Sequence, residues 1–365
     1  MGDENLTRLM GNQREISVDR ALGELRSGRP VVLAAGKTRH LLIAAESIDD
    51  DMLKAIAEIG GATPWLVLSQ PRLRSLGSDL KSPGIIMLDH TNAAGIQSLI
   101  VHIDGYLNGH SPRAASETDK AALELVRLAY LLPAAIVIEL PAGPASSGAF
   151  VEVDAASLEH YRQNVLNTPH VVSRAPVPLE GIGDSEFVVF RGGEGMRDQV
   201  AVIIGKPKPG EPVNVRLHSA CLTGDLFASL KCDCGDQLRG SAKFMAENGG
   251  GVILYLDQEG RGNGIANKIR AYRLQHSGYS TYDADEILGF GLDQRGFEFA
   301  AAMLKQLGFN SINLLTNNPV KVESLRRAGL DVSSARAKAR LNLHNIAYLT
   351  AKRDRAGHMI EDDLD

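Results

Sequence analysis

The sequence of 365 residues has few cysteines, no excess of positive charge and no long hydrophobic run. Its longest apolar stretch, residues 131–140, contains Pro133 and Glu139 and is far shorter than the roughly 18 residues of a membrane-spanning helix, which excludes a membrane span. The opening segment MGDENLTRLM has acidic residues where a secretory signal has basic ones, so we expect a cytoplasmic protein. Lysine and arginine total 39 against 44 aspartate and glutamate, a net charge of −5, so no bulk positive field attracts nucleic acid or anionic lipid.

The chain is long enough for about two domains, because a domain usually takes roughly 150 residues. Residues 16–165 alternate helical and strand patterns, which predicts an α/β layer. Proline and glycine are concentrated in residues 167–183 without a sustained hydrophobic period, which indicates a boundary. The β-rich segments and helices that follow predict an α+β domain. We therefore expect an α/β domain over residues 1–170, a linker over 171–183 and an α+β domain over 184–365.

Hydrophobic periodicity and end signals also predict individual elements. The predicted helices are 51–59, 117–131, 237–248, 264–276, 296–307 and 319–328, and the predicted strands are 64–68, 84–88, 251–256 and 311–315. No internal repeat and no low-complexity segment is present in the sequence.

The three cysteines, Cys221, Cys232 and Cys234, lie within fourteen positions of one another. Their odd number does not suit disulfides, and their crowding indicates one site. Three thiolates without a fourth ligand at the spacing of a closed site predict zinc with an open coordination position, where the pKa of bound water falls to about 7. Buried thiols and a structural zinc completed by a distant histidine are the alternatives, and spacing alone leaves the second one open.

Several cationic or polar residues could bind an anion in this acidic chain. Arg216 and Ser219 precede the first cysteine, Arg261 lies in the glycine-rich loop 259–264, and Lys321 lies at the start of a predicted helix. A helix N-terminus behind a glycine loop favours phosphate groups. A lone glycine loop or arginine is weak evidence by itself, because both are common on protein surfaces.

Four segments follow one another over about residues 185–340: VRLHSACLTGDLFASLKCDCGDQL, LDQEGRGNGIANKIRAYRLQ, DADEILGFGLDQRGF and NLLTNNPVKVESL. This series resembles the GTP cyclohydrolase II family in content and order. The resemblance implies an α+β cyclohydrolase domain with a catalytic zinc on the three cysteines, GTP as substrate and Mg²⁺ on its phosphates. It also implies water attack at C8 of guanine, release of formate and pyrophosphate, and formation of 2,5-diamino-6-ribosylamino-4(3H)-pyrimidinone 5′-phosphate, the first step of riboflavin biosynthesis. We expect a homodimer.

The resemblance assigns substrate contacts to individual residues. Positions that match family contacts to GTP are Arg216, Leu217, His218, Ser219, Ala220, Gln237, Glu259, Gly260, Arg261, Thr281, Thr316 and Lys321. Glu259 is the predicted acceptor for the N1 and N2 donors of guanine, and capping of the following helix is an alternative that could hold at the same time. Asn263 departs from many relatives, which carry an aliphatic residue there.

Tyr272, Asp293 and Arg295 match the family's catalytic set. The family assigns the aspartate as proton acceptor and the arginine as nucleophile toward the α-phosphate. Because a guanidinium stays protonated well above neutral pH, we expect Arg295 to clamp the α-phosphate and stabilise its transition-state charge. Without the resemblance, a surface ion pair and a half-buried helix aromatic would explain these three residues.

The segment VDRALGELRSGRPVVL resembles the opening of a 3,4-dihydroxy-2-butanone-4-phosphate synthase domain, which precedes the cyclohydrolase in many relatives. The likeness then ends. Where the synthase has an acidic cluster, this chain reads AAGKTRHLLIAAES, with no acid before Glu46, and the Gly-His-Thr-Glu segment is absent. Without carboxylates there is no magnesium site and no base. We expect a degenerate domain that serves packing, dimerisation or regulation.

Two other functions are candidates. A related purine-nucleotide hydrolase would stop at the formamide, although Tyr272 favours the complete reaction. A zinc-bearing nucleic-acid-binding protein would use the cysteines structurally, but such a domain normally carries a basic excess that this chain lacks. We therefore expect neither a nucleic-acid partner nor a membrane partner.

Overall fold

The computed structural model describes residues 12–89, 91–141, 148–158, 161, 169–192, 198–291, 296–335, 345, 350 and 353–354. The chain forms two compact units. The first comprises Met1–Gln163 and Ile269–Leu292, and the second comprises Asn164–Lys268 and Asp293–Asp365. Within the described ranges, every helix is too short or too polar to cross a bilayer.

The elements of residues 1–163 alternate between helices and strands. In chain order they are α1 (Gln13–Arg26), β1 (Val31–Ala35), β2 (Thr38–Ala44), a 3₁₀ turn (Ala45–Ser47), α2 (Asp50–Gly60), β3 (Trp65–Leu68), α3 (Gln70–Ser75), β4 (Gly84–Met87), α4 (Ala93–Val101), β5 (Arg113–Ala114), α5 (Glu117–Leu128), β6 (Ala134–Glu139) and β7 (Glu152–Asp154).

The elements of the remaining chain begin with strands. They are β8 (His170–Pro176), β9 (Ser185–Arg191), β10 (Gln199–Ile204), β11 (Val213–Ser219), α6 (Leu222–Asp225), α7 (Cys234–Glu247), β12 (Gly251–Leu256), a 3₁₀ turn (Glu259–Gly262), α8 (Ile265–His276), α9 (Thr281–Ile287), α10 (Glu298–Gln306), β13 (Ser311–Leu315), α11 (Pro319–Arg327) and β14 (Asp331–Ala335).

The first unit contains a seven-stranded sheet with the order β5-β4-β3-β6-β2-β1-β7. Neighbouring strands are antiparallel except β1 and β7, which are parallel. The central strand β6 is buried at every position but its last, as expected for an apolar run covered on both faces. Helices α2 and α5 pack against it. The predicted α/β class of the N-terminal domain is confirmed.

The second unit contains a seven-stranded sheet with the order β14-β13-β11-β12-β10-β9-β8. Strands β8, β9, β10 and β12 pair antiparallel, whereas β12, β11, β13 and β14 pair parallel. The predicted α+β class is confirmed. Because the carboxyl ends of parallel strands share one edge of a sheet, the residues that follow β11, β12 and β13 are gathered there.

Two features of the structure differ from the sequence-based expectations. Strand β8 forms within the predicted linker, where all seven of its side chains are exposed, so an edge strand arises without any alternation of apolar residues. The segment Ile269–Leu292, inside the predicted cyclohydrolase domain, belongs to the first unit. Helix α8 therefore begins in one unit and ends in the other.

Candidate metal centre and active site

The three cysteines converge next to the parallel half of the second sheet. Cys221 follows β11, Cys234 opens α7, and the three sulfurs lie within 4.8 Å of one another. The Sγ atoms of Cys221 and Cys232 are 3.6 Å apart. Within the described ranges, no histidine or carboxylate joins this cluster as a possible ligand. Among the described residues, therefore, no histidine completes a closed site with the three sulfurs.

A glycine makes room for the sulfurs. A Cβ atom on Gly224 would lie 2.8 Å from the Sγ of Cys232 and 3.0 Å from the Sγ of Cys221, closer than side chains pack. Soft thiolates are the donors that zinc accepts, and three of them around a space kept open by glycine fit a metal ion with a free coordination position.

Lys268 from α8 neutralises part of the charge of the cysteine cluster. Its ammonium lies 3.0 Å from the Sγ of Cys221 and 2.8 Å from Oε1 of Glu259. Hydrogen bonds from Cys232 and Cys234, together with this ammonium, lower the pKa of the Cys221 thiol. Cys232 keeps its proton in the hydrogen bond to the Cys221 thiolate, which raises the pKa of Cys232 to about 11. Of these two sulfurs, Cys221 is therefore the one that ionises first.

Asp225 holds the other side of the Cys221 turn. Its carboxylate accepts hydrogen bonds from the Cys221 backbone N–H at 2.9 Å and from the Tyr255 hydroxyl at 3.0 Å. The Nε2 atom of His218 lies 3.0 Å from the same carboxylate, and the His218 ring stacks on Tyr255 with centroids 5.5 Å apart. Burial lowers the pKa of His218 and raises the pKa of Tyr255. His218, predicted as a GTP contact, is buried in this network.

Arg216 and Gln237, both predicted to contact GTP, are linked to the cysteine loop. A guanidinium nitrogen of Arg216 donates to Oε1 of Gln237, whose amide donates to Asp233, the residue between the second and third cysteines. A second nitrogen of Arg216 donates to the carbonyl of Leu315 at 3.1 Å. Arg216, Asp233 and Leu315 are buried and Gln237 is half-buried. Arg216 is therefore held in one orientation at the sheet edge.

Lys321 and Thr316 lie after β13. The ammonium of Lys321 donates to the carbonyl of Leu217 at 2.8 Å and lies 5.2 Å from the ring centroid of Phe297. The hydroxyl of Thr316 accepts from the N–H of Asn318, which caps α11. Both predicted GTP contacts thus lie at the start of a helix and at the same sheet edge as Arg216.

Glu259 connects the glycine-rich loop to the cysteine turn. Its Oε2 accepts from the backbone N–H of Leu222 at 2.6 Å, and its Oε1 accepts from Gly260 at 3.0 Å as well as from Lys268. It therefore caps the short helix α6 rather than the helix after the loop. Gly260 and Arg261 adopt left-handed backbone conformations, with φ of 61° and 62°. For an arginine this conformation costs energy, and such positions concentrate at functional sites.

The other predicted GTP contacts have these positions. The hydroxyl of Ser219 lies 3.4 Å from the side-chain oxygen of Gln258, the N–H of Ala220 donates to Leu256, and Leu217 is buried in the core. Thr281 and Tyr272 belong to the segment Ile269–Leu292 of the first unit. Asp293 and Arg295 lie outside the described residues.

Lys268, Asp225 and Tyr255 were not predicted as site residues. Lys268 and Asp225 lie inside the conspicuous segments IANKIRAYRLQ and CLTGDLF, and Tyr255 is the one polar residue of the strand GVILYL. A polar residue inside a conspicuous segment or an apolar strand is the sequence signal that could have identified these three as site residues. Their contacts run 30 and 47 positions along the chain, which spacing does not reveal.

Comparison with known proteins identifies the family. A family model described as GTP cyclohydrolase II matches residues 170–337. The GTP cyclohydrolase-2 of Xylella fastidiosa, strain Temecula1, is 44% identical over 363 residues, which cover 97% of this chain and 89% of that protein. The chain belongs to the GTP cyclohydrolase II family. The GTP cyclohydrolase-2 of Azospirillum brasilense is 39% identical over 360 residues, 94% of each protein.

Among solved structures, the chain is similar to RibBX, a two-domain 3,4-dihydroxy-2-butanone 4-phosphate synthase from A. baumannii. The TM-score is 0.34 at 16% identity, and the match covers 88% of this chain and 99% of that chain. The recognition of GTP cyclohydrolase II from four ordered segments is confirmed, and the chain is an enzyme of this family. The absence of a nucleic-acid partner stays a prediction.

Proposed function

We propose that this enzyme hydrolyses GTP in riboflavin biosynthesis, with zinc bound by Cys221, Cys232 and Cys234. Water opens the imidazole ring at C8, a second hydrolysis releases formate, and cleavage between the α- and β-phosphates releases pyrophosphate. The product is 2,5-diamino-6-ribosylamino-4(3H)-pyrimidinone 5′-phosphate. The observation that carries the proposal is the convergence of three sulfurs without a fourth ligand among the described residues.

Zinc held by three thiolates supplies a Lewis acid with an open position, which lowers the pKa of water to about 7. The chain's own groups do the positioning. Asp225 and Glu259 fix the turn that carries Cys221 by accepting backbone N–H groups from its two ends. Lys268 offsets the negative charge of the Cys221 thiolate. A site held in this way spends little energy on reorganisation during the reaction.

The triphosphate carries about four negative charges and requires local cations in an acidic chain. Arg216, Arg261 and Lys321 are the proposed cations, and two of them flank the edge where parallel strands end. Magnesium would arrive with the triphosphate, since Mg²⁺ usually binds substrate phosphates and few protein ligands. By family resemblance, Tyr272 serves the chemistry at C8, Asp293 accepts a proton and Arg295 clamps the α-phosphate.

The function is tested by incubating purified protein with GTP and identifying the products by mass spectrometry, with formate and pyrophosphate measured in parallel. We expect all three products and about one zinc per chain by metal analysis. A formamide product without formate would identify the truncated reaction instead. Gel filtration with light scattering tests the expected homodimer in the same sample.

A further inference from the structure

Residues of the N-terminal region hold the segment Ile269–Leu292 through buried polar contacts. The hydroxyl of Ser69 donates to the carbonyl of Gly289 at 2.6 Å, and a guanidinium nitrogen of Arg72 donates to the carbonyl of Ile287 at 2.8 Å. Both N-terminal side chains are buried, and Arg72 is only 2% exposed. The two contacts join residues more than 200 positions apart in the chain.

The guanidinium of Arg72 caps the carboxyl ends of two helices. Besides Ile287, the last residue of α9, it donates to the carbonyls of Ser98, Leu99 and His102 at the end of α4, over 2.8 to 3.0 Å. Burial lowers the pKa of Arg72 to about 10, so it stays a cation at neutral pH. Carbonyls in the last turn of a helix have no partner within the helix, and a cation there is favourable.

The segment also supplies apolar side chains to the core of the first unit. They are Ala271, Leu274, Ala284, Ile287, Leu288 and Phe290. Two ion pairs flank this contact, an exposed one between Arg74 and Glu286 and a partly buried one between Arg270 and Glu46 at 3.1 Å. Tyr272 lies between Ala271 and the buried Leu274, so the core of the first unit fixes the helix that carries it.

Gly289 packs closely against the N-terminal region. Its φ is +84°, and a Cβ there would meet the hydroxyl of Ser69 at 2.8 Å and a ring carbon of Pro133 at 3.0 Å. Gly278, in the same segment, has a φ of +97° with nothing within 4 Å of the added Cβ. A side chain at either position strains the backbone, and only the one at Gly289 also collides with the N-terminal region.

We infer that the N-terminal region acts as a positioning domain that holds Ile269–Leu292 in one conformation, and that the roles of Tyr272 and Thr281 in GTP hydrolysis depend on this conformation. The inference rests on the proposed function for the role of those two residues. This positioning role of the N-terminal region requires no acidic cluster. In place of that cluster, the ends of β1 and β2 pair Ala34 with Arg39 and Ala35 with Thr38, and Gly36 and Lys37 form the turn between them.

The test compares Gly289→Ala with its matched control Gly278→Ala. We expect Gly289→Ala to speed amide hydrogen exchange in Thr281–Phe290 without GTP, and to lower kcat for formate release by about tenfold or more, because small misplacements of catalytic groups are costly. Zinc per chain should be unchanged. Gly278→Ala carries the backbone strain without the collision, so it should speed exchange less than Gly289→Ala and keep kcat within about twofold of the parent enzyme. Equal effects of the two variants would overturn the inference, and so would faster exchange in Gly289→Ala with unchanged kcat.

A charge swap supplies a second test that spares the core. Arg74→Glu and Glu286→Arg should each lower kcat a few-fold, because each places like charges opposite each other at the contact. The double variant restores opposite charges and should regain most of the lost kcat. Since the pair is exposed, these substitutions should change global stability little. Failure of the double variant to recover would count against the inference. If the parent enzyme releases no formate, the proposed function fails, while the exchange comparison still decides whether the segment is held.

Discussion

The ammonium of Lys268 lies 3.0 Å from the sulfur of Cys221 and simultaneously 2.8 Å from the carboxylate of Glu259. Both charged side chains are nearly buried, at 11% and 9% exposure. Three thiolates around one metal ion concentrate negative charge, and a cation beside one of them offsets part of it. The pair therefore connects the charge of the cysteine cluster to the loop that carries Gly260 and Arg261.

Lys268→Met is expected to destabilise the zinc-loaded enzyme by about 3 kcal/mol, because it leaves the Glu259 carboxylate buried without its cation. Adding Glu259→Gln should recover part of this loss, since the amide carries no charge. Hydrogen exchange of peptides from α6 and α7 in urea measures the effect. Lys243→Met, which removes an exposed lysine paired with Glu247 at 4.0 Å, is the control and should change stability little. If the stability losses of Lys268→Met and Glu259→Gln were strictly additive in the double variant, the energetic coupling between Lys268 and Glu259 would be contradicted.

Cys232→Ser is expected to abolish zinc binding and formate release while leaving the fold mostly intact, because the proposed site is catalytic and open. Metal analysis, circular dichroism and formate assays on the same preparation provide the measurement. Active parent enzyme without zinc, or a variant that unfolds outright, would show that the catalytic assignment is wrong.

Asp225→Asn is expected to weaken zinc binding by roughly ten- to a hundredfold, the usual cost of losing a group that orients a metal ligand. The substitution removes the negative charge of the carboxylate that accepts hydrogen bonds from the Cys221 N–H and the Tyr255 hydroxyl. Competition with a chelator gives the affinity. Tyr255→Phe, which removes only one of these donors, should cause a smaller loss. An unchanged affinity in Asp225→Asn would mean that the carboxylate has no role in holding the turn.

The N-terminal region is expected to lack dihydroxybutanone-phosphate synthase activity, because Ala34, Ala35, Gly36, Lys37 and Thr38 stand where that enzyme needs acids. Incubation of the full chain with ribulose 5-phosphate and magnesium tests this directly. Formate and a four-carbon phosphate above background would refute the degenerate interpretation.

Tyr272→Phe and Arg295→Ala are expected to separate the two halves of the reaction. Loss of the Tyr272 hydroxyl should reduce formate release far more than pyrophosphate release. Loss of the Arg295 charge should reduce pyrophosphate release by on the order of a hundredfold. Both products are measured in parallel for each variant. Equal loss of both products in Tyr272→Phe would assign that residue a general role in structure or substrate positioning.

Local sequence features determined much of this protein. The 3.6- and 2-residue periods predicted six helices and four strands whose bounds the structure matches within a few residues, and 311–315 matches β13 at both ends. The spacing of Cys221, Cys232 and Cys234 indicated one metal site, and the sulfurs do cluster. These inferences succeed because backbone periodicity and ligand spacing are short-range properties that a linear sequence records.

Only the tertiary structure decided which distant groups meet. The strand order β13-β11-β12 gathers residues from three separate segments at one sheet edge. The exposed edge strand β8 has no alternation to reveal it, and the contacts of Asp225 and Lys268 with the Cys221 turn depend on that turn's folded path. The hydrogen bond from Ser69 to Gly289 spans 220 positions, and the segment Ile269–Leu292 that contains Gly289 belongs to the first unit. Such contacts form where buried polar groups find partners after the chain has folded, and no local period encodes that choice.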